Sequence, residues 1–387
     1  MTISGVRVLY SFPHRIGAGR ICTIAWYQVD GAAKAGADVV ALVGSVDKPL
    51  PDNVRAIETL ARGRARIPYR AVGSQRMFRL HDSITAFWLR RHRKDIDVVH
   101  VWPSGALETI KAAHELGIPT LLERPNAHTR FAYDVVRAES AKLGVELPPD
   151  HEHAYKPAVL AKEEAEFAAA DKLLCPSEFT ARTFREAGHP ADQVVRHFYG
   201  VDPAVFHPAG EPHANRWFTA IFVGVAAVRK GLHYALEAWH RSTASLDGRF
   251  LIAGEMLPDY RRVLAPMLDH PSVVELGHRN DVPELLRQAD VLILPSIEEG
   301  FGLVCTEAMA SGCIPLVSDA CTEICANGVN ACVHPVGDVA GLSAQLSLMA
   351  EDEQSRRRLR DGGLRMIDEI SWDAAGVRLA EIYAANA

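Results

Sequence analysis

The side chains best placed to do chemistry are Glu299 and Glu307, in the stretch Ser296 to Asp319, SIEEGFGLVCTEAMASGCIPLVSD. An apolar run, ADVLILP, precedes them and reads as a buried parallel strand. The loop EEGFG follows, then a helical pattern from Leu303 to Ala310, with Gly312 where a helix would stop. A second apolar run, IPLVS, closes a strand–loop–helix–strand unit with a tight first turn. Open parallel sheets bind ligands outside the carboxyl ends of their strands, where this turn places both glutamates. Carboxylates there accept hydrogen bonds from hydroxyls. Gly300 and Gly302 let backbone come close to a ligand, and the N–H groups of Phe301, Gly302 and Leu303 at a helix start suit an anion or a hydroxyl.

The remaining candidates lie on other turns of the same kind. FTAIFVG, a strand, leads into the loop VAAVRKG and the helix LHYALEAWH, which puts Arg229 and Lys230 at a strand end. VRVLYS, Val6 to Ser11, reads as the first strand of the chain, followed by FPHRIGAGR, where Gly17 and Gly19 open the backbone. This is not the dinucleotide fingerprint, because GAGRIC lacks the third glycine and no acidic residue ends the next strand, VVALVG. IDVVHVW and IPTLLERP are further strands, with His100 on the first, Glu123 and Arg124 on the second, and Asn126 and His128 just beyond its end. Residues 130–160 break the rhythm, and LPPDHEHAYKP reads as an insertion or lid loop. Its His151 and His153 alternate in a proline-flanked loop, a poor arrangement for a metal.

Strands alternate with helices through both halves, so the fold class is α/β with two doubly wound parallel sheets and a cleft between them. At 387 residues two domains are expected. Residues 1–200 form the first and 201–370 the second, with the proline-rich stretch Val201 to Pro212 as linker and 371–387 as a closing amphipathic helix. A formal charge of −6 argues against a dedicated nucleic-acid binder. Of seven cysteines, five fall between Cys305 and Cys332 without CxxC pairs, which points to reduced thiols rather than zinc. The first residues are too polar for a signal peptide, and no apolar run reaches membrane-spanning length, so the expected location is the cytoplasm. AFWLRRHRK, ending at Lys94, sets Phe87, Trp88 and Leu89 beside Arg90, Arg91 and Arg93. That pattern fits a solvated helix end, and also peripheral contact with an anionic membrane at its inner face.

The stretch EGFGLVCTEAMASGCIPLVSD closely resembles the E-x7-E region of the retaining glycosyltransferases of family 4, with Glu299 and Glu307 as its two glutamates. FVGVAAVRKGLHYALEA, ADVLILPS, LLCPSEFTARTFREAG and HFYGVDPAVFHP are similar as well. The resemblance covers nearly the whole chain and is weakest in the sixty residues after the first loop. It implies the GT-B fold of two facing Rossmann-like domains, the second binding a nucleoside-diphosphate sugar and the first an acceptor. Glu299 would then hold the donor sugar's hydroxyls, Glu307 the ribose hydroxyls and Lys230 the leaving diphosphate. His128 would contact the sugar or place the acceptor, and the terminal helix would cross back to brace the first domain. The family's usual arginine after the first glycine of the phosphate loop is Val225 here, which leaves Arg229 or Arg279 to supply that charge. No acidic pair marks a metal site, so neither metal nor cofactor is expected. The implied activity is transfer to a glycan, a lipid-linked molecule or a small molecule, as in polysaccharide biosynthesis. A nucleotide-sugar epimerase of the same fold and a non-catalytic sugar-nucleotide binder remain as alternatives, with a nicotinamide oxidoreductase a distant third.

Overall fold

A computed structural model describes residues 5–62, 65–66, 72–209 and 217–387. The first lobe contains β1 (Arg7–Ile16), β2 (Asp38–Val46), β3 (Arg55–Glu58), a short antiparallel pair of β4 (Ala61–Arg62) and β5 (Ala65–Arg66), then β6 (Val98–Val101), β7 (Thr120–Glu123), β8 (Lys172–Cys175) and β9 (Val194–Arg196). Apart from β4 and β5 these form one parallel sheet in the order β3-β2-β1-β6-β7-β8-β9. The second lobe is a six-stranded parallel sheet of β10 (Thr219–Val223), β11 (Arg249–Ala253), β12 (Val273–Gly277), β13 (Val291–Leu294), β14 (Ile314–Ser318) and β15 (Cys332–His334), ordered β12-β11-β10-β13-β14-β15. Helices cover both faces of each sheet, so strands such as VLIL and IPLVS are buried throughout and read as unbroken apolar runs. This is the two-lobed α/β architecture expected of the chain.

Three local expectations change. The first strand does not stop at Ser11 but runs to Ile16, with a register shift between Phe12 and Arg15 that absorbs Pro13. Gly44 on β2 permits this, since a Cβ there would sit 2.7 Å from the Pro13 carbonyl oxygen. The lid expected over 130–160 is mostly a helix, Thr129–Leu143, with Ala132, Tyr133, Val136 and Ser140 buried along one face and a left-handed Gly144 at its end. Only the segment from Gly144 to Lys156 is loop. β3, an edge strand, was hidden in the arginine-rich stretch because half of RAIE faces solvent. Positions 63–64 and 67–71 of that stretch, and 210–212 of the expected linker, lie outside the described residues.

Two passes of the chain run side by side between the lobes. Val201 N–H donates to the Ile370 carbonyl at 2.9 Å, and Trp372 N–H donates to the Val201 carbonyl at 3.1 Å. The closing helix, Trp372–Asn386, then lies on the first helix, Ile21–Lys34. Their contact is backbone on backbone. A Cβ on Gly376 would come within 2.4 Å of Gly31 Cα, and Trp372 stacks on Tyr27 at 4.8 Å. Beneath them Glu123, fully buried, accepts from Tyr199 Oη (2.7 Å) and Gln28 Nε2 (2.8 Å) and lies 3.2 Å from His100 Nε2. His100 Nδ1 in turn meets Tyr383 Oη of the closing helix at 2.7 Å. Burial pushes the Glu123 carboxyl up, but His100, His197 and Tyr199 outweigh it and hold it below its ordinary value. Satisfied in this way, a buried carboxylate joins strand, link and closing helix.

Candidate functional site

The site grows from two loops at the carboxyl ends of β10 and β13. After β10 the chain turns through Val228–Lys230, one turn of 3-10 helix, and leaves through Gly231 at φ 66°. A Cβ on Gly231 would lie 2.0 Å from the Pro295 carbonyl oxygen, so only glycine lets this turn seat on the end of β13. Ile297 N–H donates to the Arg229 carbonyl at 2.8 Å and fixes the two loops together. Lys230 Nζ is therefore delivered to Glu299 Oε2, and Arg229 Nη1 stands 3.5 Å from Glu299 Oε1. The Gly300 N–H adds a bond of 3.2 Å to the same carboxylate. Burial alone would raise the Glu299 carboxyl. The charges of Lys230 and Arg229 outweigh it and bring the pKa down to about 2.

Glu298, which the sequence reading passed over, is as deeply buried as its neighbour. Neither of its oxygens accepts a directed hydrogen bond, and its support is ionic, from His153 Nε2 at 3.3 Å and Arg229 Nη1 at 3.7 Å. Burial pushes this carboxyl up, and His153 and Arg229 overcome that push. Arg229 Nε also lies 3.4 Å from Glu152. Arg229 is thus held firmly protonated by Glu299, Glu298 and Glu152 against the cost of burial. Of the two stand-ins for the arginine absent at Val225, Arg229 is the one beside Lys230. Arg279 is exposed and engaged with Asp281 of its own turn at 2.8 Å, and Val225 itself is exposed.

The helix Leu303–Ser311 starts beside this cluster. Gly302 precedes it at φ 77°, and no side chain caps its first turn. Phe301 turns inward and packs edge-on against Tyr199. Glu307, one turn further on, is half-buried, and among the described residues no hydrogen bond or ion pair reaches it. Desolvation raises its carboxyl to about 7, with Lys230 partly opposing. Glu299 and Glu307 therefore differ in charge state: one is locked ionised, the other titrates near neutrality.

The first lobe closes directly on this loop. The Gly300 carbonyl accepts from Ser177 Oγ (2.5 Å) and Thr180 Oγ1 (2.9 Å) at the start of the helix Glu178–Glu186. A Cβ on Gly300 would be 1.7 Å from the Pro125 carbonyl oxygen. Glu139, from the helix Thr129–Leu143, bonds Tyr234 Oη at 2.7 Å and meets His233 Nε2 at 3.1 Å. Beside the loop lies a cavity of about 170 Å3, whose walls include Arg124, Asn126, Tyr133, Glu152, His153 and Glu163.

His128 lies just beyond the end of β7, as expected, but its side chain turns into the first lobe. It caps the helix Thr129–Leu143, accepting from Arg130 N–H, and packs among Phe167, Phe184 and His189 inside the first lobe. The histidine that reaches Glu298 is His153, from the loop that had been weighed only for metal. Gly17 (φ 84°) is pressed against Lys48, and Gly19 (φ 88°) has open space beside it. Ser177 and Thr180 carried a legible signal in the helix start PSEFT, but their bond to Gly300 spans 120 residues or more. Among the described residues no three His, Cys, Asp or Glu side chains gather as a metal site, and no helix is long and apolar enough to cross a membrane.

Comparison with known proteins agrees with this geometry. Residues 23–205 match the family profile "Glycosyltransferase Family 4", and residues 218–352 match "Glycosyl transferases group 1". A glycogen synthase of Mycobacterium tuberculosis is 33% identical over 43% of the chain, and the match spans 42% of that relative's own length. A D-inositol 3-phosphate glycosyltransferase of Thermobispora bispora is 26% identical over 75% of the chain and 70% of its own. Among solved structures, HepE of Anabaena, in complex with UDP and glucose, superposes with a TM-score of 0.68 at 13% identity, covering 98% of this chain and 100% of that one. With its two halves matching the two profiles and both sheets in the GT-B arrangement, the chain belongs to the group 1 glycosyltransferases of family 4.

Proposed function

We propose that this protein transfers a sugar from a nucleoside-diphosphate sugar to an acceptor hydroxyl, with the anomeric configuration retained and without a metal ion. The observation that carries the reading is the buried Lys230–Glu299–Arg229 cluster at the strand ends, next to a helix start left uncapped at Gly302. A diphosphate needs fixed cations, and Lys230 with Arg229 supplies two in a desolvated place where they act strongly on developing charge. Donor binding would draw Lys230 from Glu299 toward the diphosphate, releasing a carboxylate for the sugar's hydroxyls. Glu307 is set for the ribose: a carboxyl near neutrality can both accept from and donate to a diol. The HepE complex with UDP and glucose is consistent with such a donor. No carboxylate in the cluster is free of cations to act as a covalent nucleophile, which favours front-face displacement assisted by the leaving phosphate. The deciding experiment follows product configuration by NMR with a panel of UDP-, GDP- and ADP-sugars, alongside Lys230→Ala. Retention in the wild type with turnover lost in the variant is the expected result. An inverted product, or an unchanged variant, would overturn the reading.

The acceptor side favours a substrate presented at an anionic surface. The helix Ser74–Arg91 exposes Leu80 and Phe87, with Arg91 stacked 4.3 Å from the Phe87 ring, exposed Arg76 and Arg79 on the same helix, and Arg90 paired with Glu115. An apolar pair ringed by cations is the composition that rests on anionic lipid. Co-sedimentation with phosphatidylserine vesicles, lost at high salt and in Phe87→Ser, would bear out a lipid-linked acceptor. Equal recovery with neutral vesicles would exclude this mode.

A further inference from the structure

A wide groove lies at the opposite end of the second lobe from the cluster around Glu299. It has a volume of about 870 Å3 and opens at the amino ends of β10, β13 and β14. Its walls carry four arginines, Arg287, Arg356, Arg357 and Arg360, with Trp217 and Phe218 at one side. Three acids line it as well, Asp290, Glu353 and Asp361, against the four arginines. Glu353 is taken by Arg357, and Asp290 accepts from Thr219 N–H. Arg287 is paired with Glu284. Arg356 is half-buried and spends Nη1 on the carbonyls of Met349 and Ala350, with no carboxylate partner. Arg360, also half-buried, has neither a hydrogen bond nor an ion pair among the described residues. Arg249 adds a further cation, stacked 3.8 Å over the Trp217 ring at the rim. Arg356 and Arg360, two half-buried guanidinium groups in a concave place without a carboxylate of their own, match the geometry of phosphate oxygens, with Arg357 shared between Glu353 and the groove.

The groove is mechanically joined to the donor site. Arg360 lies against Gly312, where a Cβ would come within 2.9 Å of its Nε, and Gly312 terminates the same helix, Leu303–Ser311, whose first turn carries Gly302 and whose middle carries Glu307. The arginine helix, Glu353–Leu364, is locked onto that helix. A Cβ on Gly363 would come within 3.3 Å of Met309 on that helix, which leaves the two helices in close contact. A ligand that draws Arg360 into the groove therefore pulls on one end of a nine-residue helix whose other end faces the donor.

We propose that this groove binds a phosphate-bearing small molecule and that its occupancy changes the affinity of the donor site. The phosphate sits among Arg356, Arg357 and Arg360, and the ring of a sugar phosphate or nucleotide lies toward Trp217. The coupling half of this proposal rests on the donor reading above; the binding half does not. By linkage the effect is mutual, so donor binding changes affinity in the groove by the same factor.

Calorimetry on the full chain with inorganic pyrophosphate as probe separates the two. Two sites are expected in the wild type, one in Arg357→Ala/Arg360→Ala and one in Lys230→Ala, with Arg360→Lys restoring part of the groove site. Loss of all binding in Lys230→Ala, or two sites remaining in the arginine variant, overturns the groove. A single site lost only with the arginines upholds the groove and sinks the donor reading instead. Glucose 6-phosphate and AMP, titrated into Lys230→Ala, tell a sugar phosphate from a nucleotide. Should the double variant fail to fold, Arg360→Gln replaces it. For coupling, the UDP dissociation constant with and without saturating glucose 6-phosphate, which lacks the diphosphate that would compete at the donor site, should differ by about threefold or more in the wild type and not in Arg360→Gln. An identical constant in the wild type refutes the coupling.

Discussion

Replacing Lys230 by methionine keeps most of the side-chain volume and removes the charge that faces Glu299. Both partners are nearly dry, at 12% and 8% exposure, so solvent cannot take over the role of the ammonium. Removing one member of a buried pair costs about 3–5 kcal/mol. Here Arg229 remains 3.5 Å away and the Gly300 N–H 3.2 Å away, which places the expected loss near the lower end, about 3 kcal/mol. The carboxyl gives an independent bound. Although burial pushes it up, it falls to about 2 from an ordinary 4.5, so its partners outweigh the burial cost by an amount on the order of 3 kcal/mol.

The double variant Lys230→Met/Glu299→Gln removes both charges and leaves Arg229 to Glu298 and Glu152. It should recover most of the loss, giving a coupling energy of about 2 kcal/mol in a cycle read by urea unfolding. The pH dependence carries the same sign. Glu299 titrates lower in the folded chain, so its contribution is present above pH 4.5 and disappears as pH falls through about 2. In Lys230→Met the carboxyl rises, and the acid loss should begin at higher pH. A double variant no more stable than the single one, or an unmoved acid limb, would refute the idea that this pair holds the donor loop in its resting state.

Gly300→Ala would force a methyl to within 1.7 Å of the Pro125 carbonyl, so the lobes must part; an increased radius of gyration by X-ray scattering, with at least a tenfold fall in kcat, is expected. Gly376→Val should lower stability by about 1–3 kcal/mol through overpacking against Gly31, read as a lower Tm, with UDP affinity unchanged in the folded protein. Between about pH 4.5 and 7 folded Glu307 holds its proton longer than the unfolded chain does, so stability falls as pH rises through that window. Glu307→Gln should remove the fall and gain about 2 kcal/mol above pH 7, after discounting for its partial exposure; parallel stability–pH curves would contradict this. His128→Asn keeps a capping side chain and should leave turnover nearly intact, whereas His153→Gln uncovers Glu298 and should lower it; the reverse order would return His128 to the site.

What the sequence made legible follows from contact range. The turn EEGFG, the glycines around it and the strands on either side are set by residues within two dozen positions, and each was read correctly as strand, loop and helix. The apolar runs of both sheets are equally local, because parallel strands buried on two faces must be apolar along their length. The helix Thr129–Leu143 was missed for a related reason. Its buried face consists of alanine, tyrosine, valine and serine, too weakly apolar to stand out against LPPDHEHAYKP, though Gly144 marked its end.

The failures at the site are of a different kind. His128 was placed by its distance from a strand end, and that position is right. Its side chain turned away because the backbone needed a cap and because Phe167 and Phe184 offered it a surface. No count along the chain contains that choice. Glu298 and His153 are 145 residues apart, and each alone looks like a solvated surface group. What makes Glu298 an ion is Arg229 of its own lobe together with His153, which arrives when the lobes meet. The same cluster sets a cation beside Lys230 although position 225 is valine. A cation on that exposed position would enter from solvent, whereas Arg229 enters from beneath, oriented by Glu152, Glu298 and Glu299. Two of those carboxylates belong to its own lobe and Glu152 to the first, so the orientation of Arg229 is set within the second lobe and completed by the contact between lobes.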